Sequence, residues 1–360
     1  MKLIVACGGT GGHITPGLAI ADIVTANLPG SRVLFIGGNG MEKKRVPEAG
    51  YPIKALTLSG VSGKSPVAKM RALLQAMRGE REAAHILSDF GPDLVVGTGG
   101  YACFPALRAA VRAGIPTAVH ESNAMPGLAV RALASKVDRV WLNFEAAAAQ
   151  LPRGADVRVV GNPLPKGAGA ATAEKRQSNR VLSFGGSLGA AALNRAVLAL
   201  MRAEVGKDVF HLHATGEREY ASFMAAFYAA GLQEGEKCRI VPYLSDMPRQ
   251  MAKAAVVICR AGAMSISELA AAGCPAVLIP SPNVAGDHQY KNAAALAERG
   301  AAVLLPEARM EAELTGTVFA LLGDEPRRTA LGAAIRSFAR PDANKRILED
   351  ILALTRADRK

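Results

Sequence analysis

The sequence predicts an α/β protein made of two Rossmann-like, doubly wound parallel-sheet domains. Three observations carry this. Short apolar runs end in glycine turns and pass into helical patterns. The same plan recurs in both halves of the chain. Half of the residues are apolar but only 5% are aromatic. Cores built mainly from Ala, Val, Leu and Ile favour helix–sheet layers over a β-sandwich. At 360 residues the chain exceeds the roughly 100–200 of one domain, so two are expected.

In chain order, residues 3–7 read as a strand, followed by Gly8-Gly9-Thr10-Gly11-Gly12 and a helical pattern from Pro16. This apolar start is shorter than the roughly 7–15 residues of a signal peptide's core. No apolar run approaches the ~18–20 residues of a membrane span. Residues 33–36 form the next strand, ending in Gly37-Gly38-Asn39. Ser65-Pro66 reads as a helix cap and first helical position. Residues 93–96 run into Gly97-Thr98-Gly99-Gly100, a helix, Ala113-Gly114-Ile115-Pro116 and a strand over 117–120. The segment 161–178, rich in Gly, Pro and Ala, reads as the linker between domains 1–162 and 163–340.

The second half repeats the plan. Residues 181–184 end in Gly185-Gly186-Ser187-Leu188-Gly189 and a helix over 190–201. Residues 255–258 run into Arg260-Ala261-Gly262-Ala263, a helix, Ala272-Gly273-Cys274-Pro275 and a strand over 276–279. In both halves glycine closes the helix and proline follows two residues later, as helix C-termini prefer. Alternating strands and helices give parallel sheets, whose ligands bind at the strands' carboxyl ends. The glycine turns stand there.

Several chemistries are excluded. Five cysteines without a CxxC pair argue against a disulfide framework or zinc site and fit a reducing cytoplasm. A dinucleotide fingerprint from Gly9 fails at Ile14, and no acid closes the second strand to hold a ribose. A Walker motif ending at Gly63-Lys64-Ser65 fails at Leu58. There is no Asp-x-Asp and the six histidines are scattered, so no protein-held metal or cofactor is expected. A net charge of +12 suits an anionic partner. Without a nucleic-acid module, that partner is a phosphorylated substrate or anionic lipid.

Glycine turns before helices let backbone N–H groups approach phosphate. Arg260, just past a strand, is a candidate phosphate cation, and Glu268, two turns into the following helix, suits a ribose diol. The polar run from Asp287 through His288, Gln289 and Asn292 suits a sugar. His13 stands at a helix N-terminus, where the dipole keeps an imidazole neutral and able to accept a proton. Val67, Met70, Leu74 and Met77 recur at helical spacing among Lys64, Lys69, Arg71, Arg78 and Arg81. That pattern fits either a membrane-surface helix or an ordinary core-facing one.

The motifs form an ordered set: Gly8-Gly9-Thr10-Gly11-Gly12-His13, Gly97-Thr98-Gly99-Gly100-Tyr101, His120-Glu121-Ser122-Asn123, Gly161-Asn162-Pro163, Gly185-Gly186-Ser187-Leu188-Gly189-Ala190, Arg260-Ala261-Gly262-Ala263 with Ser267-Glu268, and His288-Gln289 with Asn292-Ala293. Across nearly the whole chain the set resembles the MurG family of peptidoglycan glycosyltransferases. The resemblance implies a GT-B fold, two domains facing across a cleft. It implies inverting transfer of N-acetylglucosamine from UDP-N-acetylglucosamine to the 4-hydroxyl of lipid I, the undecaprenyl-pyrophosphoryl-muramyl-pentapeptide, giving lipid II.

By the same resemblance the first domain takes the acceptor; because that acceptor's lipid tail stays in the bilayer, the amphipathic segment 65–81, with Val67, Lys69, Met70, Arg71, Leu74, Met77 and Arg78, is expected to dock on the cytoplasmic membrane face. The last helix, about 341–360, returns to that domain. Donor contacts fall to Ser187, Leu244, Ala263, Met264, Ser265, Glu268, His288 and Gln289, with Thr10, Gly11, Gly12 and Asn123 from the first domain. Tyr101 and Asn123 face the acceptor. His13 and Glu121 both remain open as the catalytic base. Pro165 stands where the family often has arginine, and Ser122 and Leu188 where it has glutamine. A diacylglycerol glycosyltransferase, a twin-domain epimerase and a non-catalytic sugar-nucleotide sensor are the rival readings.

Overall fold

A computed structural model of the protein describes residues 1–57, 66–165, 175–186, 189–244 and 246–357, and side chains there except at 66–73, 285, 356 and 357. The chain divides into two compact units, Met1–Lys166 with Asp342–Lys360, and Gly167–Pro341.

The first unit runs β1 (Lys2–Ala6), α1 (Gly11–Asn27), β2 (Arg32–Gly37), α2 (Glu42–Glu48), β3 (Ile53–Ala55), α3 (Pro66–Phe90), β4 (Leu94–Gly97), α4 (Cys103–Arg112), β5 (Thr117–Glu121), α5 (Leu128–Leu133), β6 (Arg139–Leu142) and β7 (Val157–Val159). Its parallel sheet has the order β3-β2-β1-β4-β5-β6-β7. Strands β4, β5 and β6 are buried along their whole length, as a sheet covered on both faces requires.

The second unit runs β8 (Arg180–Phe184), α6 (Ala191–Glu204), β9 (Phe210–Ala214), α7 (Tyr220–Ala229), β10 (Cys238–Val241), α8 (Met247–Lys253), β11 (Val256–Cys259), α9 (Ala263–Ala272), β12 (Ala276–Leu278), α10 (His288–Ala297), β13 (Val303–Leu304), α11 (Glu307–Gly323) and α12 (Glu325–Arg336). Its sheet has the order β10-β9-β8-β11-β12-β13. Within each unit the winding reverses at one place, between β1 and β4 and between β8 and β11. Ala6 lies opposite Gly97, and Phe184 opposite Cys259. The turns that leave these pairs therefore emerge side by side, at the point where such sheets hold ligands.

One helix starts earlier than the sequence pattern suggests. α1 begins at Gly11, not Pro16, because the Thr10 carbonyl accepts from the N–H groups of both His13 and Ile14 (3.0 and 3.1 Å). The glycine turn thus becomes the first helical turn, and Pro16 lies inside the helix, where it forgoes one backbone bond.

The final helix, α13 (Ala343–Ala357), belongs to the first unit. Ile347 and Ile351 are buried with Leu3, Val5, Ile20 and Trp141. Asp350, 2% exposed, accepts from Trp141 Nε1 (2.6 Å) and pairs with Arg139 Nε (3.0 Å) and Arg158 Nη1 (2.6 Å). Asn344 exchanges two 2.9 Å bonds with the backbone of Leu164.

α3 divides into two stretches. Toward its C-terminus Ala83 and Leu87 are buried, and Glu80 bridges Arg108 (3.2 Å) and Arg112 (2.6 Å) of α4. Earlier in the helix Leu74 and Met77 are exposed, by 59% and 48%. Among the described residues no helix is long and apolar enough to cross a membrane.

Candidate active site

In the first unit the turns after β1 and β4 interlock. Gly100, with φ +85°, lies against Gly8 so closely that a Cβ on it would stand 2.1 Å from the Gly8 carbonyl oxygen. Thr98 Oγ1 donates to the His13 carbonyl at 2.7 Å. The His13 ring packs over Gly99, and its Nδ1 lies 3.0 Å from the Gly8 carbonyl oxygen. A carbonyl only accepts, so Nδ1 carries the proton and Nε2 presents its lone pair. No side chain caps α1, so the N–H groups of Gly11 and Gly12 project from a helix N-terminus beside this ring.

Glu121 is placed differently. It is 5% exposed, and both of its oxygens organise the loop that follows. Oε1 accepts from the backbone and side-chain nitrogens of Asn123 (2.9 and 3.1 Å), and Oε2 from the Gly127 N–H (2.8 Å). Neighbouring His120 is buried, and its ring Nε2 meets the Gly161 carbonyl at 3.1 Å. Burial pushes this imidazole down to about 4, so it is a neutral structural tie. Tyr101 projects into solvent, 68% exposed.

In the second unit α9 starts directly after the Arg260-Ala261-Gly262 turn, again without a side-chain cap. Ala263 and Met264 are buried in its first turn, and Ser265 is half-buried. Glu268 lies on the same helix. Its side chain reaches the surface only in part, and burial pushes its carboxyl up to about 7. Asn292 Nδ2 donates to the Ala261 carbonyl (3.4 Å), and Gln289 Oε1 accepts from the Ser281 N–H (2.9 Å). The first bond ties α10 to the turn that precedes α9, and the second ties its first turn, with half-buried His288 and Gln289, to the segment after β12. Leu244 lies past β10, packed partly against the core. A cavity of about 540 Å³, lined in part by Ser281, Asp287 and Tyr290, opens nearby.

Arg260 is tied to neighbours within its own unit. Its guanidinium forms an ion pair with Glu307 and donates to the carbonyls of Ile279 (3.3 Å) and Pro280 (3.4 Å). It acts as a latch between the end of β12 and the start of α11. Ser187 and Leu188, in the turn after β8, lie outside the described residues, as do Lys64 and Ser65. The side chains of Val67, Lys69, Met70 and Arg71 also lie outside them.

Sequence reasoning missed two buried networks. Glu42 sits one turn past β2, and its only signal was an acid near glycines. Glu204, His211, Ser183 and His213 are joined by contacts of 2.8, 2.7 and 2.8 Å. This Glu–His–Ser chain has the members of a hydrolytic triad. Ser183 and His213 are 0% exposed, and burial, then the neighbouring His211, pushes His213 down to about 3. No substrate reaches such a set, so it is a polar brace joining β8, β9 and the end of α6.

Comparison with known proteins agrees with this layout. Residues 3–142 match the glycosyltransferase family 28 N-terminal domain, and residues 180–347 its C-terminal domain. Twin doubly wound sheets with these two matches define a glycosyltransferase of the GT-B fold. A UDP-N-acetylglucosamine--N-acetylmuramyl-(pentapeptide) pyrophosphoryl-undecaprenol N-acetylglucosamine transferase of Cytophaga hutchinsonii is 36% identical over 100% of this chain and 98% of its own. The protein of the same name in Acetivibrio thermocellus is 38% identical over 98% and 97%. The crystal structure of Acinetobacter baumannii MurG superposes with a TM-score of 0.74 at 27% identity, covering 98% of this chain and 99% of that one. The chain belongs to the MurG family, within glycosyltransferase family 28.

Proposed function

We propose that this enzyme transfers N-acetylglucosamine from UDP-N-acetylglucosamine to the 4-hydroxyl of lipid I, with inversion, yielding lipid II and UDP for peptidoglycan synthesis. The observation that carries the reading is 36% identity to a transferase of that name over the whole chain. Incubation with labelled UDP-N-acetylglucosamine and a lipid I analogue tests it. UDP and disaccharide must appear together and only when acceptor is present. Donor turnover without acceptor would instead make the chain an epimerase.

In this reading the second unit holds the donor. The helix N-terminus at Ala263, Met264 and Ser265 faces the pyrophosphate with Ser187, and the backbone at Leu244 receives uracil. Glu268 accepts from the ribose diol, and His288 and Gln289 hold the sugar. Thr10, Gly11, Gly12 and Asn123 add contacts from the first unit, and Tyr101 and Asn123 meet the acceptor. Arg260, engaged by Glu307, stays outside the phosphate set. His13 is the general base, since Glu121 already serves three backbone and side-chain donors.

Glu268 gives the donor site a pH signature. An ionised carboxylate accepts two hydroxyl hydrogens and a protonated one cannot, so the donor KM falls as pH rises through about 7. Glu268→Ala is expected to raise that KM roughly 10–100-fold, the equivalent of about 1.5–3 kcal/mol for bonds to a charged group. The effect on stability has the opposite sign. A carboxyl raised in the fold loses stability as pH rises from its unfolded value, 4.5, to about 7. Glu268→Gln should therefore be more stable than the parent at pH 8, by up to about 3 kcal/mol, and equal to it at pH 4. A donor KM independent of pH in the parent enzyme would remove Glu268 from the ribose.

Lipid I keeps its polyprenyl chain in the bilayer, so the enzyme works at the membrane surface, peripherally and on the cytoplasmic face. Exposed Leu74 and Met77 beside Arg78 support a docking surface on the first part of α3. Most of the net positive charge also falls on the first unit. Each basic residue near an anionic surface contributes about 1 kcal/mol. Changing Lys69, Arg71 and Arg78 to glutamate should abolish sedimentation with anionic vesicles and leave activity on a short-chain soluble acceptor intact. Vesicle binding that survives at low salt would move the docking surface elsewhere.

A further inference from the structure

The first unit contains a buried carboxylate that the proposed chemistry does not use. Glu42, 1% exposed, accepts from three backbone N–H groups: Gly9 (3.0 Å), Gly38 (2.8 Å) and Gly40 (3.1 Å). The glycines around it leave room for nothing larger. A Cβ on Gly37 would stand 2.6 Å from Glu42 Cγ, one on Gly40 2.7 Å from Oε2, and one on Gly8 3.1 Å from Oε1. Burial by itself pushes this carboxyl up. Hydrogen bonds from its own N–H and those of Gly9, Gly40 and Gly38 outweigh that and hold it below the usual carboxylate range. It is therefore a fixed anion clamped between the turn after β1 and the turn after β2.

Its position matters because of what Gly9 joins. Glu42 Oε2 holds the N–H of the Gly8–Gly9 peptide, and the carbonyl of that same peptide accepts from His13 Nδ1. One planar peptide unit thus links the two side chains, and its orientation sets the direction of the carbonyl that selects the His13 tautomer. Gly100 packs against the Gly8 carbonyl on one side of this peptide, whereas Gly9, with φ +89°, has no atom that a Cβ would meet, so on the N–H side the Glu42 bond fixes its tilt.

We propose that Glu42 is a positioning residue for His13: through the Gly8–Gly9 peptide it holds the imidazole with Nδ1 protonated and Nε2 directed at the acceptor hydroxyl. This rests on the reading of His13 as general base. Glu42→Gln keeps the shape, but it removes the charge and turns an N–H₂ group toward backbone donors. The peptide then loses its anchor, and misplacement of a reacting group on the ångström scale costs on the order of tenfold to a hundredfold in rate.

The test is a double-mutant cycle with kcat and UDP affinity measured on Glu42→Gln, His13→Ala and the double variant. Glu42→Gln should lower kcat by about that factor with UDP affinity unchanged, and it should add no further loss in the His13→Ala background. If Glu42→Gln does not fold, Glu42→Asp carries the same test, since its shorter carboxylate withdraws from Gly9. A folded Glu42 variant with the parent's kcat, or one whose loss multiplies with that of His13→Ala, overturns the inference. If His13→Ala itself retains the parent's kcat, it is the general-base reading that fails.

Discussion

His13→Ala is expected to lower kcat by roughly 10²–10⁴-fold, the usual contribution of a general base, with UDP affinity unchanged. Three features of the ring support so large an effect. Its Nδ1 proton is committed to the Gly8 carbonyl at 3.0 Å, which leaves Nε2 as the acceptor. Its backbone is fixed by Thr98 Oγ1 at 2.7 Å. Its face lies on Gly99, where any side chain would displace it. Glu121→Gln is the comparison. Its amide nitrogen would face the N–H of Asn123 or of Gly127, so the loop should loosen, with a smaller kcat loss and a raised acceptor KM. If Glu121→Gln loses more turnover than His13→Ala and also shifts the pH profile, the two roles are exchanged.

Asp350→Ala should destabilise the first unit by about 3–5 kcal/mol, the cost of removing one partner from a buried ion pair. The carboxylate is 2% exposed and serves Arg139, Arg158 and the Trp141 N–H together. Its loss leaves the Arg139 guanidinium, only 11% exposed, with Asp156 alone. Trp141 is the chain's single tryptophan, so its emission reports directly on this contact. A red shift in the native state of Asp350→Ala, with a lower denaturation midpoint, is the expected pair of results. Asp350→Asn still offers an oxygen to Trp141 and should lose less. A change below about 1 kcal/mol in the alanine variant would mean that α13 is held by Ile347, Ile351 and Asn344 without its charge.

The strands that precede the glycine turns were legible in the sequence because each is a continuous apolar run ended by turn-forming residues. The helix stops at Gly114 and Gly273 were legible for the same reason, and both glycines take positive φ. Strands β3, β7 and β13 are only two or three residues long, and β9 carries two histidines inward. They are strands because neighbours pair with them, and local pattern does not encode that.

The local pattern also fixed the candidate site as a set of turns, since glycine turns and helix starts are short-range features. It left His13 and Glu121 equal, because one is a polar residue at a helix start and the other at a strand end, and nothing local ranks them. Their difference lies in how the folded backbone presents partners: Gly8 and the distant Thr98 around one, Asn123 and Gly127 of the following loop around the other. Arg260 looked available in the sequence and is engaged by Glu307, 47 positions away. Nothing in the local sequence marks Glu42 or Asp350. Each became a buried organiser only when the fold closed around it, since a charge removed from water persists only where donors converge on it, and Gly9 for Glu42 and Arg139, Arg158 and Trp141 for Asp350 arrive from distant parts of the chain.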